Sequence, residues 1–165
     1  MVKTKSKTIN LGDMFEKQQA LTDHIRYIKG IDGPQIEKDK GAIICELWEV
    51  ANELKSEGFK YWTEKKRTKH VLEEMVDVLH MYLQIGNDMH VVYEHYWIEK
   101  RKTLLDQIMS INTSLLMMDA PLMWAMSFAQ YRGLVELLGY DWDTQIIPAY
   151  NKKFDINMER QNEGY

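Results

Sequence analysis

Two stretches, ICELWEVANEL at 44–54 and VLEEMVDVLHMYLQIG at 71–86, place acids on the flank of helices that otherwise read as core. A helix turns about 100° per residue, so Glu46, Glu49 and Glu53 fall within roughly 60° of one another. Ile43, Leu47, Val50 and Leu54 fill the adjoining arc. In the second stretch Glu74 and Asp77 are again about 60° apart, with Val78, Met81 and Ile85 close to Glu74 on the wheel. A bare carboxylate is costly to bury among apolar neighbours. A chain built on these helices must therefore set its acids against positive charge. Either Lys and Arg on solvated faces supply it, or the two helices face each other across hard cations. Carboxylates without thiolates or paired histidines suit Mg²⁺, or Mn²⁺, better than Zn²⁺.

The surrounding pattern is helical throughout. Three prolines, frequent Leu, Met, Glu, Lys and Gln, and no series of alternating strands predict an all-α fold, a compact helical bundle. The 165 residues suit a single domain with a sizeable core, led by a flexible segment over 1–12 that carries Lys3, Lys5 and Lys7. Helices are predicted at 13–29, with Asp13 as N-cap, at 39–56, at 70–89, at 99–118, then from a cap at Asp119 to a stop at Gly139, and within 143–162 with Pro148 in its first turn. A net charge of −4 gives no electrostatic case for duplex nucleic acid, and no apolar run is long enough to span a membrane. A single cysteine, Cys45, fits a reducing cytoplasm and reads as a packed thiol. The KKRTKH run at 65–70 is either a solvated loop or an anion site, and the Met-rich 115–126 segment is either core or a subunit interface.

Taken in order, Glu46-x-x-Glu49, then Phe59-Lys60-Tyr61-Trp62, then Glu74-x-x-Asp77-x-x-His80, the sequence resembles the dimeric all-α dUTP pyrophosphatases of phages, some bacteria and kinetoplastids. That group lies within the all-α nucleoside triphosphate pyrophosphohydrolases. KQQALTD at 17–23 is similar to its N-terminal glutamine motif, and YNKKFDINMERQNEGY at 150–165 to its closing pattern. The resemblance implies hydrolysis of dUTP to dUMP and pyrophosphate, by attack at the β-phosphorus, in a homodimer. It implies two or more Mg²⁺ ions on Glu46, Glu49, Glu74 and Asp77. By the same resemblance Gln18, Trp62 and Asn157 contact the nucleoside, while Lys153, Arg160 and Tyr165, with Lys60 a weaker candidate, close over the phosphates. Thr22 stands in the nucleoside motif where an asparagine is often found, and Phe59 where a tryptophan is common.

The chemistry is consistent with those assignments. A triphosphate and a carboxylate cluster repel each other, and divalent ions invert that sign. Either Glu49 or Glu46 would take the proton from the attacking water. His80, one turn beyond Asp77, reads either as a packed histidine or as a residue that backs a ligand or touches substrate. Three other readings stay open: a dCTP-type or broad nucleoside triphosphate pyrophosphatase, a di-iron bundle, and a helical interaction protein without catalysis. The di-iron reading needs a Glu-x-x-His on each of two helices, and Asp77 to His80 is the nearest match. The expected location is cytoplasmic, in the host cytoplasm if a phage encodes the chain.

Overall fold

The computed structural model describes residues 8–95 and 97–164. It is mostly helical: α1 (Gly12–Lys29), α2 (Ile36–Glu53), α3 (Val71–Asp88), α4 (Leu104–Leu116), α5 (Pro121–Leu138) and α6 (Ile147–Asn162). Two short strands, β1 (Ile9–Asn10) and β2 (Glu94–His95), pair antiparallel with Ile9 opposite His95. Within the 1–12 segment expected to be loose, residues 1–7 lie outside the described chain. From Ile9 onward it is tied down, by β1 and by Leu11, which is fully buried.

Apolar periodicity decides the packing. Ile43, Leu47, Val50, Ala51 and Leu54 of α2 meet Met75, Val76, Val78 and Leu79 of α3 in one buried cluster, and α2 with α3 is the most extensive helix pair. α1 and α6 also pack on α3, while α4 packs on α5 and α2. The far side of α3 is aromatic: Tyr82 packs with Trp124, Phe128 and Tyr131 of α5. The polar atoms of these rings are satisfied. Trp124 Nε1 donates to the Tyr82 carbonyl at 2.9 Å, Tyr131 Oη to the Met75 carbonyl at 2.8 Å, and Tyr82 Oη pairs with Ser127 Oγ at 2.6 Å. A buried hydroxyl or indole N–H left without a partner would cost more than its burial returns.

The ends of the elements differ from expectation in instructive ways. α1 starts at Gly12, so Asp13 sits in its first turn, where a negative charge suits the helix dipole, and its side chain caps nothing. α2 starts earlier than predicted, at Ile36, and ends at Glu53, with a single 3₁₀ turn over Lys55–Glu57 before Gly58. The fourth helix is shorter than predicted, because Thr103, in extended conformation, accepts from Asp106 N and caps it. Asp119 is not the cap of α5, which follows an extended Ala120 and opens on Pro121. Gly139, at φ 79°, closes α5 as expected, and Pro148 sits in the first turn of α6. Cys45 is exposed, not packed, because Ile43 and Leu47 take the inward positions of its turn. No helix among the described residues is long and apolar enough to cross a membrane.

One crossing leaves no room for a side chain. A Cβ on Gly133 would lie 2.0 Å from the Glu99 carbonyl oxygen and 2.9 Å from Gln107 Nε2. The same carbonyl accepts from Gln107 Nε2 at 2.9 Å, so the backbone at Glu99 cannot easily retreat. Gly133→Ala is expected to lose roughly 1–3 kcal/mol by overpacking, or about 2–4 °C of Tm for each kcal/mol. Thermal and urea unfolding followed by circular dichroism measure it.

Candidate active site

Only one of the three acids of the first stretch reaches the second. Glu46 from α2 and Glu74 and Asp77 from α3 bring one carboxylate oxygen each to within 4.8 Å of one another. Glu74 and Asp77 share a face because they are one turn apart, and α2 crosses α3 with Glu46 at that level. Glu49, the next turn along α2, is exposed and stands outside this cluster, though near enough for its charge to act on Glu46 and Glu74. Glu53 serves a different purpose. It accepts from Thr68 Oγ1 and from Lys55 Nζ, at 3.1 Å, and these bonds pull its pKa down. With the Thr68 N–H to Glu53 carbonyl bond of 3.0 Å, it anchors the loop between α2 and α3.

The electrostatics of the cluster are those of a site short of positive charge. Burial raises the pKa of Glu46, of Glu74 and of Asp77, and mutual repulsion adds to it: Asp77 acts on both glutamates, and Glu46 acts on Glu74. Lys153, from α6, partly answers this. Its Nζ lies 2.8 Å from Asp77 Oδ2 and 3.8 Å from Glu73 Oε1. An ammonium thus stands against Asp77 where a cation is called for. An all-oxygen donor set of this spacing, with its charge only partly compensated, fits a hard divalent cation.

Beyond Asp77 the site has a buried polar wall. His80 is 5% exposed and stacks on Tyr150 of α6, with ring centroids 4.3 Å apart. Burial, with the Lys153 charge adding to it, lowers its pKa to about 4, so the ring is neutral near pH 7. Its Nδ1 lies 2.7 Å from Gln18 Oε1, and Nε2 is buried without a hydrogen-bond partner. Gln18 Nε2 donates to Thr22 Oγ1 at 3.3 Å. Thr22 Oγ1 donates to Gln84 Oε1 at 3.2 Å. Burial raises the pKa of Asp39, near the start of α2, against the opposing effect of Gln84, and Asp39 Oδ2 is buried without a partner. Arg26 and Asp88 close this end with a bidentate pair at 3.0 and 2.7 Å.

Of the residues expected at the site, Gln18, Thr22, His80 and Lys153 join the wall or the cluster. Arg160, exposed on α6, is close enough for its charge to lower the pKa of Asp77. Asn157 lies half-buried between those two positions on α6. Lys60 is turned away, paired with Asn52 and lying 5.9 Å from the centre of the Phe59 ring. Trp62 is 64% exposed, edge-on to Phe59 and Tyr61. Tyr165 lies outside the described residues. In the basic run, Arg67 is committed to Glu57 at 2.8 Å and to the Leu138 carbonyl at 2.9 Å. Lys69 instead lines a groove of about 320 Å³ with Lys152, Lys153 and Glu73. Asp39, Gln84 and Tyr150 escaped the sequence reading. The signal for two of them was present: Asp39 lies two turns before Glu46, and Gln84 two turns after Asp77, each on the face of its acid.

A family model described as dUTPase matches residues 10–165 of the chain. The comparison with curated proteins gives no match.

The raised carboxylates fix the sign of a pH effect. Because their folded values lie above the ordinary ones, the folded chain binds protons there that the unfolded chain has released. Their contribution to the stability of the metal-free protein is greatest at acid pH and is lost as pH rises through the raised values. In EDTA, Glu74→Gln is expected to be more stable than the unmodified chain at pH 7, with the gap closing as pH falls through the carboxylate range. Urea unfolding across pH measures it.

Proposed function

Because the chain belongs to the dUTPase family, we propose that its hydrolysis of dUTP to dUMP and pyrophosphate runs on Mg²⁺, with Mn²⁺ a substitute, held by Glu46, Glu74 and Asp77. The observation that carries this reading is the approach of those three carboxylate oxygens to within 4.8 Å. When bound there, such ions offset the charge of the phosphate oxygens and acidify a water. Glu49 is the proton acceptor: it is an exposed acid one turn from the cluster, so it keeps a carboxylate free for a water. Glu46, drawn into the cluster, is better placed as a ligand.

Lys153 holds the triphosphate. Its ammonium is 2.8 Å from Asp77, and a bound divalent ion would displace it from that carboxylate toward the phosphate oxygens. Arg160, two turns further along the same face of α6, adds its planar fork to the same end of the substrate. The groove shared by Lys69, Lys152 and Lys153 gives the outgoing pyrophosphate a cationic path. Gln18 and Thr22 face the base, His80 backs them, and Asn157 contacts the nucleoside from α6. Thr22, in place of the asparagine common at its position, favours a second reading in which dCTP is also turned over.

A second copy of the chain covers the apolar face of α4 and α5. Met109, Leu116, Met117, Leu122 and Met126 are exposed there, while Met118 and Trp124 in the same run are buried. This splits the Met-rich segment between core and interface, and an uncovered face of this kind favours association. Light scattering at micromolar concentration is expected to give twice the chain mass, and Leu116→Glu with Leu122→Glu to give the monomer. A cytoplasmic location fits a chain with one cysteine, and that one exposed.

Two measurements test the catalytic reading. Turnover of dUTP, followed by pyrophosphate release, is expected to stop in EDTA and to return with Mg²⁺; activity that persists in EDTA would defeat it. Glu49→Gln is expected to lower kcat by roughly 10²–10⁴-fold while calorimetry still detects Mg²⁺ uptake. Comparable kcat/KM for dUTP, dCTP and dTTP would defeat the preference for uracil.

A further inference from the structure

The loop between α2 and α3 carries two features that hydrolysis of a nucleotide leaves unused. The first is charge. Residues 59–70, FKYWTEKKRTKH, hold five Lys or Arg against one acid, Glu64, in a chain of net charge −4. Arg67 is spent on Glu57 and the Leu138 carbonyl. Lys65, Lys66 and Lys69 are exposed, and none forms an ion pair among the described residues. The second is a pair of aromatic rings held out in solvent: Tyr61 is 90% exposed and Trp62 64%.

These rings are the outer end of a ladder rooted in the core. Trp48 of α2 donates from Nε1 to Asn112 Oδ1 at 3.3 Å. Phe59 stands edge-on to Trp48 with centroids 6.1 Å apart, Trp62 edge-on to Phe59 at 6.1 Å, and Tyr61 edge-on to Trp62 at 5.1 Å. Edge-to-face contacts are favoured between aromatic rings. The backbone beneath is pinned as well. Ser56 N and Oγ donate to the Lys65 carbonyl at 3.1 and 2.7 Å, and Thr63 N to the Lys60 carbonyl at 3.2 Å. The loop thus presents rings and cations in one ordered arrangement, and little further order has to be imposed when a ligand binds.

We propose that this loop binds single-stranded DNA, with bases stacking on Tyr61 and Trp62 and phosphates meeting Lys65, Lys66 and Lys69. Exposed rings interleaved with unpaired cations are the chemistry of strand binding without sequence preference. Lys65 follows Trp62 by three residues, so their backbones lie within about 11 Å of each other. A duplex keeps its base faces stacked inside and would meet only the charge. A lipid surface calls for a larger apolar face than two rings supply. DNA is favoured over RNA because the family acts on a deoxynucleoside triphosphate, and a bound strand would hold the enzyme where such precursors are consumed.

Fluorescence anisotropy of a labelled oligothymidylate with the full chain, in EDTA and low salt, tests this. EDTA keeps the carboxylate cluster from taking the strand's phosphates through a metal. Binding is expected, with log K falling against log salt at a slope of roughly −2 for three phosphate contacts. Tyr61→Ala is expected to weaken it roughly tenfold, and Tyr61→Phe, which keeps the ring, to leave it unchanged. Lys65→Gln with Lys66→Gln is expected to make the slope shallower by about 1.4. Trp62 and Lys69 stay intact, since each also has a place in the nucleotide site, and all three variants are expected to keep dUTP turnover. Absence of binding at low salt overturns the proposal, as does binding that neither Tyr61→Ala nor the lysine pair weakens. Equal affinity for the same strand annealed to its complement, or loss of binding in Tyr61→Phe, overturns the stacking. Tighter binding of oligouridylate overturns the choice of DNA. Phosphatidylserine vesicles that take up the protein through Tyr61, with no binding of the oligonucleotide, overturn the proposal in favour of a membrane.

Discussion

The cost of holding three carboxylates together beneath the surface is the constraint on which this molecule turns. Burial pushes Glu46, Glu74 and Asp77 each toward protonation, and the Asp77 charge adds to it at both glutamates. Nothing in the cluster itself relieves that cost. It persists because the apolar arcs of α2 and α3 adjoin the acids and make the most extensive helix contact in the chain. Ile43, Leu47 and Val50 drive α2 onto α3, and Glu46 is carried into the crossing with them. The folding energy of an ordinary helix pair thus holds an arrangement that is unfavourable by itself, as sites poised for a missing charge commonly do.

Relief comes from the last helix. α6 lays Lys153 against Asp77 and Tyr150 against His80, and its packing on α1 and α3 is what brings them there. Tyr150 is fully buried, and its hydroxyl donates to the Met14 carbonyl at 3.0 Å. The helix that carries the cationic residues is therefore locked at its first turn, while Arg160, near its end, is exposed. A rigid base with an open tip suits residues that must meet a substrate entering from solvent.

The acids of the first stretch also show how one motif divides its labour. Glu46, Glu49 and Glu53 share a face, yet one enters the cluster, one stays in solvent beside it, and one ties down the loop through Thr68 and Lys55. Their shared phase could not distinguish these fates. What separates them is height along α2: the crossing with α3 has a single level, and only the acid at that level meets Glu74 and Asp77. The same logic assigns Asp39. It lies on the Glu46 face, two turns away, where the acid whose charge acts on it is Asp88, already paired with Arg26.

The sequence by itself determined the helical class, the apolar arcs that would pack, and the stripe of acids that would flank them. These follow from the repeat of one helix, and a repeat is written in the chain. It also carried the family pattern, through residues at both ends and in the middle. Tertiary structure alone decided which acids converge, that Lys60 turns to Asn52, that Trp62 stands in solvent, and that Cys45 points outward. It alone tied Gln18 to His80 and Thr22 to Gln84, since each of those bonds spans two helices. The angle and level at which helices cross are set by the whole core at once, and no local periodicity encodes them.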